Sequence, residues 1–211
     1  MALLCTVIDN DNTTHDGKYL GVTINDKMLW NSHIDATAMK ANNSLAFLRR
    51  NIATCPIPVK AQAYKTLVRP ILEYAAAAWD PHTDTNIRRL ESVQRRAARF
   101  VHGDYKTTSS TSEMIAKLSW PSLQQRRQDA RLVMLYRIGH NLVDIPAAMF
   151  LHRTAPLTRG HSARYMLPFC RTDVYRHSFF PSGIRMWNQL PDHVANAQSL
   201  DNFKTGLATL H

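Results

Sequence analysis

Six apolar residues, Ile34, Ala38, Ala41, Leu45, Leu48 and Ile52, recur at alternating steps of four and three. That spacing follows one face of an α-helix, so the chain beyond residue 30 must bury helices through apolar seams. Asn31 or Ser32 stands where an N-cap belongs, and "TCPIP" (Thr54–Pro58) breaks the seam. A second helix is expected from about Pro58 to Trp79, with Ala63, Leu67, Ile71, Leu72, Ala75 and Trp79 inward. Pro70 lies inside it and predicts a kink, because it has no N–H and its ring clashes with the preceding turn. A third helix is expected from about Asp84 to His102. Short connections among the three imply compact antiparallel packing.

Ahead of these helices, residues 1–17 are polar and turn-like, and "KYLGVTIND" (Lys18–Asp26) has the alternation of a short strand. Gly21 within that run suggests a bulge or the close approach of another backbone. After the third helix, "GDYKTTSSTS" is read as a loop, followed by a helix from about Ser122 to Leu142. Prolines and glycines then interrupt short aromatic runs. Extended segments are expected near Tyr165–Phe169 and Val174–Phe180, and short helices at Ser182–Gln189 and Ser199–Leu210. The division is an N-terminal tail and strand segment (1–29), a three-helix bundle (30–105) and a helical, irregular extension (106–211). The class is mainly α, with a smaller irregular α+β C-terminal region.

The formal charge is +10, from 26 Lys and Arg against 16 Asp and Glu, which favours polyanionic partners. Residues 1–30 hold two lysines against four aspartates, so the basic character belongs to the body. It is densest in "RRLESVQRRAARFV" (Arg88–Val101). On a helical wheel with Leu90 at zero, Val93, Ala97, Phe100 and Val101 fall within about 80° of it. Arg88, Arg95 and Arg99 fall near about 140–180°, and Arg89 and Arg96 near about 240–260°. All five guanidiniums face away from the core, and Glu91 lies off the group. A solvated face usually mixes charges, whereas arginine's planar fork suits phosphate.

Other chemistries find little support. The three cysteines are far apart, with no Cys-x-x-Cys spacing, which indicates neither a disulfide framework nor zinc and fits a reducing, intracellular compartment, nuclear or cytoplasmic. The ten histidines show no zinc spacing. His161-Ser162 and His177-Ser178 lack a Gly-x-Ser-x-Gly elbow, and there is no glycine-rich phosphate loop. No apolar stretch is long enough to span a membrane. The four tryptophans sit in apolar helix patterns and are expected in cores, while Phe179 and Phe180, beside Arg176 and His177, are candidates for an aromatic–basic contact.

The order of landmarks carries more. "KYLGVTIND", "LWNSHI" (Leu29–Ile34), "FLRRN" (Phe47–Asn51), "YKTLVRPILEYAAAAWDPH" (Tyr64–His82) and "RLESVQRRAARFV" (Arg89–Val101) are followed by three more. These are "LSWPSLQQRRQDARLVMLYRI" (Leu118–Ile138), "RTDVYRHSFFPSGIRMWNQLP" (Arg171–Pro191) and "SLDNFKTGL" (Ser199–Leu207). Together they resemble the downstream part of the reverse transcriptase of non-LTR (LINE-type, jockey and chicken-repeat-like) retrotransposons, from about Lys18 to Leu210. The resemblance implies that Tyr19, Leu20 and Gly21 form a primer-grip-like β-hairpin, that the helices after it form a thumb along a template–primer duplex, and that the remainder is a C-terminal extension. Arg88, Arg89, Arg95, Arg96 and Arg99, with Arg49, Arg50, Arg126 and Arg127, are the expected nucleic-acid contacts.

One departure from the family is large. Polymerase chemistry needs carboxylates holding two metal ions, and the chain has no Asp-Asp pair. Mg2+ would belong to the absent palm, so no cofactor and no catalytic residue are expected here. The expectation is a truncated reverse-transcriptase fragment, inactive alone, that binds a template–primer duplex and no membrane. Self-association, or pairing with the missing palm and fingers, is a further possible partnership. The alternatives are a helical protein-interaction module and a translated pseudogene product.

Overall fold

The computed structural model describes residues 16–154 and 161–210. Within them the protein is mainly helical, with one two-stranded antiparallel sheet. Most of the polar stretch read at 1–17 lies outside the described residues. No helix among those described is long and apolar enough to cross a membrane. The chain divides into two compact units: the first holds the described residues up to Leu72 together with Thr83–Tyr105, and the second holds Glu73–His82 with the residues from Lys106 onward.

The first unit opens with strands β1 (Asp16–Tyr19) and β2 (Val22–Asn25), paired so that Tyr19 faces Val22 and Asp16 faces Asn25. Leu20 and Gly21 make the two-residue turn with φ of 46° and 83°. Two positive φ values in succession are those of a type I′ turn, whose twist matches the strands. Gly21 therefore sits at a hairpin tip and not inside a strand as its pattern suggested. Asn25 donates to the Asp16 carboxylate at 2.6 Å, closing the open end.

Helix α1 (Asn31–Asn51) buries Ile34, Ala38, Ala41, Leu45 and Leu48, the seam read from the sequence. Neither Asn31 nor Ser32 caps it; Trp30 is the N-cap and makes no side-chain cap bond. The Asn31 side chain instead accepts from Asn86 at 2.7 Å, a tertiary bond that outcompetes the local one.

The second helix departs most from its sequence pattern. It is built as α2 (Ile57–Ala63), a π-helical turn (Tyr64–Val68) and α3 (Arg69–Glu73). The buried residues are Lys60, Tyr64, Val68 and Leu72, each four after the last, while Leu67 and Ala75 are exposed. A plain α-helix would drift about 40° at each step of four, and the wider π turn absorbs that drift. Most of the expected inward set is thus displaced by one residue, and the feature before Pro70 is this wide turn, in which the Arg69 N–H reaches Tyr64. The helix ends at Glu73, with Ala75 at a φ of 53°, so it stops short of Trp79 and residues 73–82 join the second unit.

Helix α4 (Asp84–His102) has the limits its periodicity predicts and ends at Gly103, whose φ of 68° is a left-handed C-cap. Asp104 N–H bonds to Arg99 and Gly103 N–H to Phe100, closing a Schellman motif. The order of contacts fixes helix directions. Asn31 meets Asn86, Asp35 meets Arg89 and Asn42 meets Arg96, so α1 and α4 run parallel. Tyr64 donates to Gln94 at 3.1 Å and the Lys60 ammonium lies 5.6 Å from the Phe100 ring centre, so the middle helix runs opposite to both.

The second unit contains helix α5 (Thr111–Lys117), which begins inside the stretch expected as a loop and is capped by Ser110 accepting from the Glu113 N–H. Helix α6 (Leu123–Gly139) is capped by Ser122 in the same way. Then follow α7 (Asp173–Arg176), α8 (Phe179–Trp187), α9 (Asp192–Ala195) and α10 (Leu200–Ala208). The extended segment expected at Val174–Phe180 is replaced by α7 and the start of α8. Thr172 accepts from the Tyr175 N–H, and that cap prevails over the β-propensity of Val174 and Tyr175. Near Tyr165–Phe169 one isolated bridge forms among the described residues, Arg153 with Tyr165. The core joins α6, α8 and α10 through Leu135, Tyr136, Ile184, Trp187, Phe203 and Leu207. Tyr136 and Phe203 stack at 4.6 Å, and the Trp187 indole donates to Ala163 at 2.8 Å.

Candidate nucleic-acid interface

The site begins with the division of faces on α4. Leu90, Val93, Ala97, Ala98, Phe100 and Val101 are buried, each 2% exposed or less, and this apolar side fixes the rotation of the helix. Burying a large apolar side chain is worth about 1.5–3 kcal/mol, so the arginines opposite cannot turn inward at any comparable gain. Arg88, Arg89, Arg95 and Arg96 are exposed, and Arg99 is half-buried.

The five arginines are not equivalent. Arg89 and Arg96 lean toward α1: Arg89 pairs with Asp35 at 2.6 Å and Arg96 donates to Asn42 at 3.0 Å. Arg88 and Arg95 face outward, and Arg99 follows on the same side of the helix but is half-buried. Arg88 lies 3.4 Å from Asp84, with both side chains at least three-quarters exposed, a contact that solvent leaves weak. Arg95 donates to the Arg88 carbonyl at 3.4 Å and has no acidic partner among the described residues. Arg88 and Arg89 thus each meet a carboxylate that lies outside the stretch Arg88–Val101. Asp84 lies just before the stretch, and Asp35 comes from another helix, so neither was visible within it.

Arg49 and Arg50 are exposed in the last turn of α1, and Arg49 lies 5.1 Å from the Tyr105 ring centre. Both α1 and α4 carry basic residues in their final turns, where cations complement the helix dipole, and their parallel packing puts those turns at the same end. A groove of about 560 Å³ runs between the two helices, lined by Asp35, Met39, Asn42, Arg89, Ser92 and Arg96 among others.

At the hairpin tip, Tyr19 and Leu20 are 66% and 73% exposed. The hairpin is tied to α1 by the Thr23 N–H, which donates to His33 Nδ1 at 3.2 Å. His33 is buried, and that burial lowers its pKa below the ordinary histidine value.

Arg126 and Arg127 belong to the second unit and are differently employed. Arg126 makes a two-pronged pair with Glu73, the second contact at 2.9 Å. Arg127 is fully buried, with Nε on Asp80 at 3.0 Å, and Arg131 approaches the other Asp80 oxygen at 3.5 Å. Burial depresses the Arg131 pKa, Asp80 opposes that shift, and Arg127 adds to it. Arg127 is therefore withdrawn from the set of phosphate contacts, and Arg126 is already engaged by a carboxylate. Both are held by carboxylates far along the chain, Glu73 at 53 residues and Asp80 at 47, which a count of charges does not reveal.

Phe180 stacks on Phe150 at 4.2 Å and Phe179 packs beside it against the core, so neither is open as an aromatic–basic contact. Trp79, Trp120 and Trp187 are buried, and Trp30 is half-buried. Among the described residues no group of three or more His, Cys, Asp or Glu is placed to hold a metal ion. Compared with protein-family models, curated proteins and solved structures, the chain matches none.

Proposed function

We propose that this chain is the primer-grip, thumb and C-terminal part of a non-LTR retrotransposon reverse transcriptase, and that the outer face of α4 holds a nucleic-acid duplex by its phosphates. The observation that carries this reading is the exposed pair Arg88 and Arg95, two turns apart on one face, of which Arg95 has no acidic partner among the described residues. Guanidiniums spaced along one helix suit a backbone of regular charge, and such contacts position a duplex without reading its sequence. Arg49 and Arg50 extend the same basic surface within the first unit. The hairpin, with its exposed tip and its tie to α1, suits the role of a grip beside that surface. In this role the chain holds a duplex and does not extend it, the metal-binding carboxylates being those of the palm.

The test is binding of a fluorescently labelled duplex, read by anisotropy across a salt series. Each phosphate neutralised contributes about −0.9 to the slope of log affinity against log salt on B-form DNA. Arg88→Glu with Arg95→Glu is expected to flatten that slope by about two and weaken all sequences alike. An unchanged slope would sink the assignment. A second reading has its own observation: Ile57, Val59 and Leu67 are each 44% exposed or more along the middle helix. Salt-insensitive self-association without duplex binding would favour an interaction module.

A further inference from the structure

We infer that the segment from Met166 to Arg176 in the second unit is a stacking platform for single-stranded nucleic acid, separate from the duplex surface proposed on α4. Phe169 is 90% exposed, more than any other large apolar residue among those described. Met166 and Leu167 precede it and Tyr175 follows it, exposed by 57%, 46% and 45%. Placing this much apolar and aromatic surface in water calls for a partner that covers it.

The segment is anchored at both ends. Its start is held by Tyr165, which is buried and clasped on both backbone groups by the Asn188 side chain, at 3.0 and 2.8 Å. The Met166 N–H bonds to His152 at 2.7 Å. Its far end is the Thr172-capped turn of α7, followed by His177, whose ring stacks on His82 at 4.1 Å. Rings presented on an anchored segment lose little freedom on binding, which is what a stacking contact requires.

Charge selects the class of partner. From residue 161 to 191 four arginines stand against one acid, Asp173. Arg171 and Arg176 are exposed inside the segment itself, and Arg176 meets Asp173 only at 3.4 Å between well-exposed side chains. Aromatic rings interleaved with arginines fit a polyanion whose bases are available to stack. Duplex bases already stack on one another, so a ring as open as Phe169 fits an unpaired strand better. An acidic protein segment is the other class that such a surface could take, and binding of a labelled polyglutamate peptide in place of the strand would overturn the inference in its favour.

The measurement uses the full chain, with a labelled single-stranded RNA of about twelve uridines, enough to cover one such platform, and the labelled duplex in parallel. Phe169→Ala and Phe169→Leu are both expected to weaken single-strand binding roughly 5- to 100-fold, while Phe169→Tyr stays near wild type. Leucine keeps the apolar contact but has no ring, so it separates stacking from apolar docking. Duplex binding should not respond to any of the three, and Arg95→Glu should weaken the duplex without weakening the single strand. Because Phe169 is open to solvent, these variants fold, and circular dichroism checks that they do. The inference is overturned if wild-type protein does not bind the strand, if Phe169→Ala binds it unchanged, or if Phe169→Leu binds as wild type does.

Discussion

Asp80→Asn is the sharpest probe of how the second unit is held together. Asp80 is 12% exposed in its side chain and lies between Arg127 and Arg131, which are 0% and 3% exposed. Nη1 and Nη2 of Arg127 and Nε of Arg131 are also buried, with no hydrogen-bond partner among the described residues. One carboxylate therefore balances two guanidiniums that water does not reach. Asparagine keeps the shape and one acceptor oxygen but withdraws the charge, leaving two buried cations facing each other. Breaking a buried pair in this way costs about 3–5 kcal/mol, against a total stability of about 5–15 kcal/mol for an ordinary domain. Urea unfolding followed by tryptophan fluorescence reads the right unit, since Trp79, Trp120 and Trp187 lie within it. Adding Arg127→Met should restore part of the loss, because one of the stranded charges goes with it. Glu73→Gln, which unpairs the partly exposed Arg126, should cost only about 1 kcal/mol or less. A loss below about 1 kcal/mol for Asp80→Asn would refute the reasoning, because hydrated guanidiniums would not miss their carboxylate.

Other expectations follow from single contacts. Leu20→Gly should stabilise the hairpin by about 0.5–1 kcal/mol, since leucine is strained at a φ of 46°; slower hydrogen exchange at Val22 would register it. Gly139→Ala should destabilise by about 1–3 kcal/mol despite alanine's better helix propensity, because the new Cβ would stand 2.5 Å from the Tyr165 hydroxyl; a raised melting temperature would contradict this. The pH dependence of the hairpin's tie to α1 rests on His33, whose folded pKa is lowered by burial. Its contribution is complete above the unfolded value of about 6.5 and is lost as pH falls from there toward the folded pKa. Exchange of the Thr23 amide should therefore quicken below about pH 6, and His33→Phe should abolish that dependence. Ser110→Ala should cost about 1 kcal/mol by uncapping α5, measured as a lower urea midpoint.

The sequence by itself determined the mainly helical class, the limits of α4, the seam of α1 and the outward orientation of the α4 arginines. All of these depend on periodicity, and a helix long enough to repeat its seam declares which face is buried. Helix α5 was legible too, in the Ser110-to-Glu113 spacing of a capping box, although its apolar pattern is too short to draw notice. Tertiary structure decided what periodicity cannot encode. The π turn at Tyr64–Val68 moved the buried set of the middle helix by one residue, because a uniform step of four fits no regular α-helix. The Asn31 side chain left its helix end for Asn86, and Asp35 reached Arg89 from a parallel neighbour. Arginines that look alike in the chain were sorted by where carboxylates lie in space: Arg127 was drawn inside to Asp80, while Arg95 remained on the surface. A charge's partner is set by distance through space, and sequence separation does not report that distance.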